Sequence, residues 1–61
     1  MDSSKNIILE FQQIGNSVRV AAVDPETLTE VSIVGPPNAG IEVLKQTAIR
    51  KLKYVMEKRR S

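Results

Sequence analysis

Apolar and polar residues alternate in three stretches of the first half of the chain, which is the pattern of β-strands with one buried face. In the first stretch Ile7, Leu9 and Phe11 fall on one face. The matching rows of the next two stretches are Val18, Val20 and Ala22, then Val31 and Ile33. The pattern therefore predicts three strands.

Gly15 and Asn16 separate the first two stretches. They predict a two-residue hairpin turn, because such turns need residues that tolerate positive φ. Pairing across this turn places Phe11 opposite Val20. The apolar side chains of both strands then share one face, and a slip of one residue would expose the whole row.

Pro25 to Leu28 form the second predicted loop. Proline presets the first turn dihedral, and the Asp24 carboxylate is placed to accept hydrogen bonds from backbone amides two or three residues further on. A four-residue loop pairs Ala22 with Val31. Together the two turns predict an antiparallel β-meander.

A helix is predicted after the Gly35–Pro37 segment, with Asn38 as the N-cap and Ala39 as the first helical residue. Seven apolar residues share an arc about 140° wide on the helical wheel. They are Ile41, Leu44, Ala48, Ile49, Leu52, Val55 and Met56. The fold class is thus expected to be α+β, a three-stranded antiparallel β-meander followed by one C-terminal α-helix packed on one sheet face (β-β-β-α), with the helix ending near Arg59.

One small domain is expected over residues 7–59, with a flexible N-terminus at residues 1–6 and a C-terminal tail at residues 60–61. A chain of 61 residues is close to the lower limit at which a single apolar core sustains a fold. The predicted core consists of Leu9, Phe11, Val20, Ile33, Leu44, Ala48, Leu52 and Val55.

The residue types present exclude several kinds of chemistry. The chain has no Cys and no His, which excludes disulfides, Cys or His metal sites, thiol catalysis and imidazole acid–base catalysis. Gly35–Gly40 has the spacing of half a P-loop, but the Lys and Ser or Thr that follow in a P-loop are missing. Asp24, Glu26 and Glu30 lack the spacing of a calcium loop. We expect no catalytic residue, no metal, no cofactor and no enzymatic activity.

No stretch approaches the roughly 20 apolar residues of a membrane span. Residues 1–6 lack the basic and apolar regions of a signal peptide. The sequence is therefore interpreted as that of a cytoplasmic protein without membrane contact.

Basic residues are concentrated towards the C-terminus. Residues 40–61 carry seven basic and two acidic residues (+5), whereas residues 1–39 carry two basic and five acidic residues (−3), which gives the net charge of +2. A basic segment binds nucleic acid or acidic protein surfaces, but cations near a helix C-terminus are also common solvated residues. The candidate partner-binding residues are Arg50, Lys51, Tyr54, Lys58 and Arg19.

Two apolar sets lie outside the predicted core, one on the helix and one on the sheet face that the helix leaves open. Isolated apolar residues are normal on a surface, but small chains without metal or disulfide often gain burial by association. We expect a homo-oligomer, a dimer or higher. The candidate interface residues are Val43, Thr47, Tyr54, Ile8, Ala21, Val23 and Val34.

The sequence does not indicate a biological role. The favoured hypothesis is a small non-enzymatic protein-interaction module that self-associates, with an acidic protein as a further candidate partner. The alternative is weakly sequence-specific RNA binding through the basic C-terminal helix. A sheet followed by such a helix is similar to the later part of a double-stranded-RNA-binding domain. The first helix of that domain is missing, however, and the sheet lacks base-stacking aromatic pairs.

Four segments carry a resemblance to a known family. They are residues 10–20 with Gly-Asn-Ser-Val-Arg-Val, 22–27 with Val-Asp-Pro, 30–36, and 52–55, the last within the basic Arg-Lys-Leu-Lys-Tyr helix. From about Phe11 onward the chain resembles a family of short alphaproteobacterial proteins of unknown function. This resemblance implies a bacterial, cytosolic protein and transfers no catalytic or binding residue.

Overall fold

The computed structural model describes residues 6–60 as a three-stranded antiparallel sheet followed by one long helix. The elements in chain order are strand β1 (Ile8–Ile14), strand β2 (Ser17–Asp24), strand β3 (Thr29–Gly35), a 3-10 turn (Pro37–Ala39) and helix α1 (Ile41–Arg60). Strand β2 lies in the centre of the sheet, and α1 packs on one sheet face. The predicted β-β-β-α fold is confirmed.

Both predicted strand registers are confirmed. Phe11 lies opposite Val20 across the first turn, and Ala22 lies opposite Val31 across the second loop. Gly15 has a φ of 59°, which is the left-handed conformation that a two-residue hairpin turn needs at its first position. Each turn thus brings the apolar residues of neighbouring strands onto the same face of the sheet.

The Asp24 side chain organises the loop between β2 and β3. It is buried, and its carboxylate accepts hydrogen bonds from the backbone N–H of Glu26 and from the hydroxyl of Thr27, both at 3.1 Å. The Thr27 hydroxyl lies 2.7 Å from that of Thr29, which accepts a hydrogen bond from the Arg59 guanidinium at 3.2 Å. These bonds connect the loop to the C-terminal end of α1, and the predicted role of Asp24 in the turn is confirmed.

The core lies between α1 and the two strands β2 and β3. Leu9, Ile33 and Val55, which were predicted for the core, pack against it while remaining partly exposed. The buried members of the core are Val20, Ala22, Val31, Leu44, Ala48 and Leu52.

Phe11 was predicted for the core, and this prediction is wrong because 46% of the residue is exposed. A helix with its side chains is about 10 Å wide, whereas three strands at about 4.8 Å spacing span about 14 Å. One helix therefore covers about two strands. The short connection through residues 36–40 places α1 over β3 and β2, so β1 is left largely uncovered, with Leu9 at the margin of the core.

Gly35 allows the start of α1 to approach the end of β3 closely. A Cβ at this position would overlap the side chain of Leu44, which is buried in the core. The absence of a side chain at Gly35 therefore helps to fix the position of the helix over β3.

The helix begins two residues later than predicted. Pro37–Ala39 form a 3-10 turn without a side-chain cap. Gly40 follows with a φ of 93°, which is far from helical. Because Gly40 interrupts the helical conformation, α1 begins at Ile41, and the prediction that Asn38 caps a helix beginning at Ala39 is wrong.

The predicted chain ends fall largely outside the described residues. Of the N-terminal segment 1–6, residues 1–5 lie outside them, as does Ser61 of the predicted tail. Arg60, the other residue of that tail, is the last residue of α1. Over the described part of the chain, no helix has the length and apolar character needed to cross a membrane.

The core assignment is tested with Leu52→Ala. Leu52 has no exposed surface, so truncation leaves a cavity and is expected to lower the free energy of unfolding by about 2–5 kcal/mol. Val43→Ala is the matched control on the same helix, because Val43 is 57% exposed, and it should change stability by less than about 0.5 kcal/mol. Equal melting temperatures for the two variants would contradict the assignment.

The loop before β3 contains a strained residue that offers a second test. Leu28 has a φ of 58° and is 82% exposed. This conformation costs an L-residue roughly 1–2 kcal/mol, and glycine adopts it freely. Leu28→Gly is therefore expected to raise the free energy of unfolding by about 1 kcal/mol in denaturant titrations. Leu28→Ala keeps the Cβ and should not. A glycine variant no more stable than the alanine variant would contradict the strain.

Candidate functional site

Strand β1 is the part of the sheet that the helix leaves open. Among the described residues it pairs with β2 on one side only, and three of its large apolar side chains are exposed: Ile8 at 51%, Phe11 at 46% and Ile14 at 54%. An unpaired strand edge with apolar side chains is a template for pairing with another strand. These three residues and the outer edge of β1 are called the β1 edge below.

The open sheet face, opposite α1, carries the four sheet residues predicted for an oligomer interface. Ile8 and Val23 are direct cross-strand neighbours at one end of this face. Val34 is 65% exposed and lies on β3, the other outer strand. Ala21 is only 1% exposed within the single chain, so it contributes almost no surface to an interface. The set is thus spread over all three strands, with Ile8 on β1, Ala21 and Val23 on β2, and Val34 on β3.

Arg19 also lies on the open face, apart from the helix residues with which it was grouped. It stands opposite Gln12 on one side and Val34 on the other. With Glu10, Phe11 and Gln12 it lines a shallow cleft beside β1. The sheet separates Arg19 from α1, and the structure therefore places it next to the β1 edge.

The helix residues predicted for an interface, Val43, Thr47 and Tyr54, are exposed along α1 and are called the helix stripe below. Val43 is 57% and Tyr54 is 62% exposed, and the hydroxyl of Thr47 donates to the backbone C=O of Val43 at 2.8 Å. The Lys58 ammonium lies 5.8 Å from the centroid of the Tyr54 ring, within the range of a cation–π interaction. Arg50 is exposed too. Arg50, Tyr54 and Lys58 are thus brought together on one side of the helix.

Lys51, the fourth candidate partner residue on the helix, contacts the sheet. Its ammonium donates to the backbone C=O of Ser32 at 3.1 Å. Ser32 belongs to β3, so this lysine occupies part of the outer edge of that strand. Lysine at a strand edge opposes pairing with another chain. The two outer strands of the sheet therefore differ, since Lys51 contacts β3 and the helix leaves β1 open.

The described residues offer little for catalysis or metal binding. No group of three or more His, Cys, Asp or Glu among them is placed to hold a metal ion. An open cavity of about 220 Å³ is lined by Thr27, Thr29, Met56 and Arg59. Its hydroxyls and guanidinium are hydrogen-bonded to one another, and none of the four lining residues is a carboxylate or an imidazole that would act as a base.

Sequence reasoning placed Phe11 on the correct face of the sheet but missed its exposure, and it did not select Ile14. Periodicity gives the face of a residue, but it does not give the strands that one helix covers. The exposure of β1 could have been predicted by counting the strands and helices. One helix covers about two strands, so a fold with three strands and one helix leaves an outer strand open. The short segment between β3 and α1 then identifies that strand as β1.

Comparison with known proteins gives a family for the chain. Residues 4–59 match DUF6898, which is described as a domain of unknown function. The chain belongs to the DUF6898 family. The DUF6898 match extends from before β1 into the last turn of α1 and so includes every strand of the sheet. No curated protein and no solved structure matches the chain. The predicted membership of a family of unknown function is confirmed.

Proposed function

We propose that this chain is a small, non-enzymatic protein-interaction module of the bacterial cytoplasm that self-associates through the β1 edge. The observation that carries the proposal is the exposure of Ile8, Phe11 and Ile14 on one outer strand. Ile8 and Ile14 lie on the open face and Phe11 on the helix side of the sheet, so exposed apolar side chains stand on both faces beside the free strand edge, as is typical of a strand that pairs with another chain.

The small size of the chain supports self-association. With 61 residues and no Cys, the chain has neither a large core nor disulfides to stabilise it. Burial of further apolar surface contributes about 25 cal/mol per Å². Covering the β1 edge with another chain therefore adds stability to both.

The residue types support a non-enzymatic role. The chain has neither Cys nor His, which removes the commonest nucleophile–base pairs. The cavity at the end of α1 is lined by hydroxyls, a thioether and a guanidinium, and these groups are suited to holding the helix against the loop.

The helix stripe supports a contact with an acidic protein partner. Tyr54 gives an exposed aromatic ring, and Arg50 and Lys58 are cations beside it. Tyrosine and arginine are enriched in protein interfaces, and cations increase the rate of encounter with an acidic surface. Lys51 lies next to this stripe and faces the β3 edge.

Light scattering coupled to size exclusion tests the self-association. We expect wild type to be a dimer or higher oligomer whose mass is the same at low and high salt, because apolar contacts are not screened by ions. Phe11→Lys places a charge at the centre of the β1 edge and is expected to shift the mass to that of a monomer. A monomeric wild type would contradict the proposal.

Val43→Lys is the matched control, because it adds the same charge at another exposed apolar residue. It is expected to keep the mass of wild type, and circular dichroism should show the same helix content for both variants. The reverse result, with a monomeric Val43→Lys and an oligomeric Phe11→Lys, would place the interface on the helix stripe instead.

Nucleic-acid binding through α1 is the second candidate function. The exposed Arg50 side chain and the Lys58 ammonium over the Tyr54 ring favour it. Cations contact phosphates without reading sequence, and an exposed aromatic ring stacks on an unpaired base. Binding of this kind would be weakly sequence-specific.

Fluorescence anisotropy with a labelled RNA oligonucleotide tests this second candidate. RNA binding through α1 predicts affinity at low salt that falls steeply as salt is raised. The double variant with Arg50→Glu and Lys58→Glu should lose it. Arg19→Glu, a single charge reversal on the opposite side of the sheet, is the control and should bind much more tightly than the double variant. Equal binding by the double variant and wild type would exclude α1 as the site.

A further inference from the structure

The two outer strands are not equally available for pairing with another chain. The Lys51 ammonium already donates to the Ser32 C=O on β3. Helix α1 lies over β2 and β3, so within residues 6–60 β1 is the outer strand that has an unpaired edge and that the helix leaves largely uncovered. A partner that extends the sheet therefore meets less obstruction at β1 than at β3.

The hydrogen-bond alternation of the sheet identifies which residues of β1 face this partner. Because the Ser32 C=O points outward to Lys51, its opposite residue Ala21 directs its own backbone groups towards β1. Ala21 is opposite Glu10, so the backbone N–H and C=O of Glu10 form hydrogen bonds with β2. The N–H and C=O groups of the alternate residues Leu9, Phe11 and Gln13 then point to the open edge.

We propose that the partner is a second copy of this chain, paired antiparallel through β1 with Phe11 on the two-fold axis. The two copies then form one continuous six-stranded sheet with both helices on the same side. This inference rests on the proposed self-association and specifies its geometry. Opposing side chains of antiparallel strands share a face, so the axis must pass through a residue of β1.

A two-fold axis at Phe11 brings residues of compatible chemistry opposite each other along β1. It pairs all seven residues of β1, Ile8–Ile14, because Phe11 is the middle residue. Ile8 of each copy then lies opposite Ile14 of the other, and Glu10 lies opposite Gln12, whose amide donates to a carboxylate. Phe11 meets its own copy across the axis. Each exposed apolar residue of the β1 edge thus lies opposite an apolar residue of the other copy.

Two-fold axes at the neighbouring residues Glu10 and Gln12 give less favourable pairings, because they place a carboxylate opposite an unsuitable residue and pair fewer residues of β1. An axis at Glu10 places two carboxylates directly opposite each other, which is destabilising, and it leaves Gln13 and Ile14 without strand partners. An axis at Gln12 places Ile14 opposite the Glu10 carboxylate and leaves Ile8 and Leu9 unpaired. Phe11 is therefore the position at which charge, apolar contact and strand length agree.

The helix side of the sheet adds apolar surface to this interface. Ile49 lies about 160° around the helix from Lys51 at about 100° per residue. Lys51 faces β3, so Ile49 is on the flank towards β1. In the dimer the two uncovered β1 strands lie side by side between the helices. Phe11 and Leu9 of both copies line the sheet side of this groove, and Ile49 of each copy lines its helix side.

Cysteine cross-linking tests the register without background, because the chain has no Cys. With the axis at Phe11, residues 8 and 14 of different copies form a pair without backbone hydrogen bonds, with Cα atoms about 4.5 Å apart. This separation is within the range of a disulfide. The two copies of residue 8 are about 20 Å apart at about 3.3 Å per residue.

An oxidised mixture of Ile8→Cys and Ile14→Cys is expected to shift to the covalent-dimer band on a non-reducing gel. Each variant oxidised alone should remain at the monomer band. Light scattering checks that both variants still associate. If these substitutions dissociate the oligomer, Glu10→Cys mixed with Gln12→Cys tests the same register with the apolar residues intact.

The outcomes separate this geometry from the self-association on which it rests. A wild-type protein that is monomeric by light scattering overturns both. An oligomeric wild type whose associating variants give no cross-link in the mixture overturns the pairing of β1 alone. Cross-linking of Glu10→Cys alone as fast as its mixture with Gln12→Cys would place the axis at Glu10 and would also overturn the inference.

Discussion

The width of a single helix is the constraint on which the rest of this structure depends. A helix about 10 Å wide covers about two strands, and the described part of the chain forms three strands and one long helix. The short connection from β3, together with the close approach of Leu44 to Gly35, fixes the helix over β3 and β2. The buried core is consequently confined to α1 and these two strands, and Phe11 on β1 is exposed. The same constraint that completes the core therefore creates the apolar edge.

Much of the fold could be predicted from local patterns, because the turn sequence and the apolar alternation each specified the same strand pairing. The turn at Gly15 and the apolar row through Phe11 and Val20 both required the observed register, and agreement between turn and pattern leaves little freedom. The helix start was less predictable. Asn38 has the side chain of a cap, but the backbone at Gly40 turns away from the helix. Whether Phe11 is buried depends on which strands α1 covers. The alternation of apolar and polar residues along the chain does not determine where the helix lies across the sheet.

The candidate surfaces lie on opposite flanks of the molecule. Lys51 contacts β3 and lies between the core side of α1 and the stripe with Tyr54, so the stripe is on the β3 flank, away from β1. The two proposed contacts, self-association at β1 and a partner at Tyr54 and Lys58, therefore do not compete for the same surface. In a dimer paired through β1, the two helix stripes would lie at the far ends of the assembly. Such an arrangement suits binding of two partner molecules at once.

The single hydrogen bond from Lys51 to Ser32 has a consequence for how far such an assembly grows. A two-fold contact uses the same strand of both copies and is closed, so the remaining free edges of the sheet are the two β3 strands. Each of these edges carries a lysine that opposes the addition of a further strand. Growth would therefore stop at two chains, whereas a chain with two open edges would polymerise into a filament. On this geometry the Lys51 ammonium would limit the assembly to two chains, because it occupies part of the strand edge at which a third chain would have to pair.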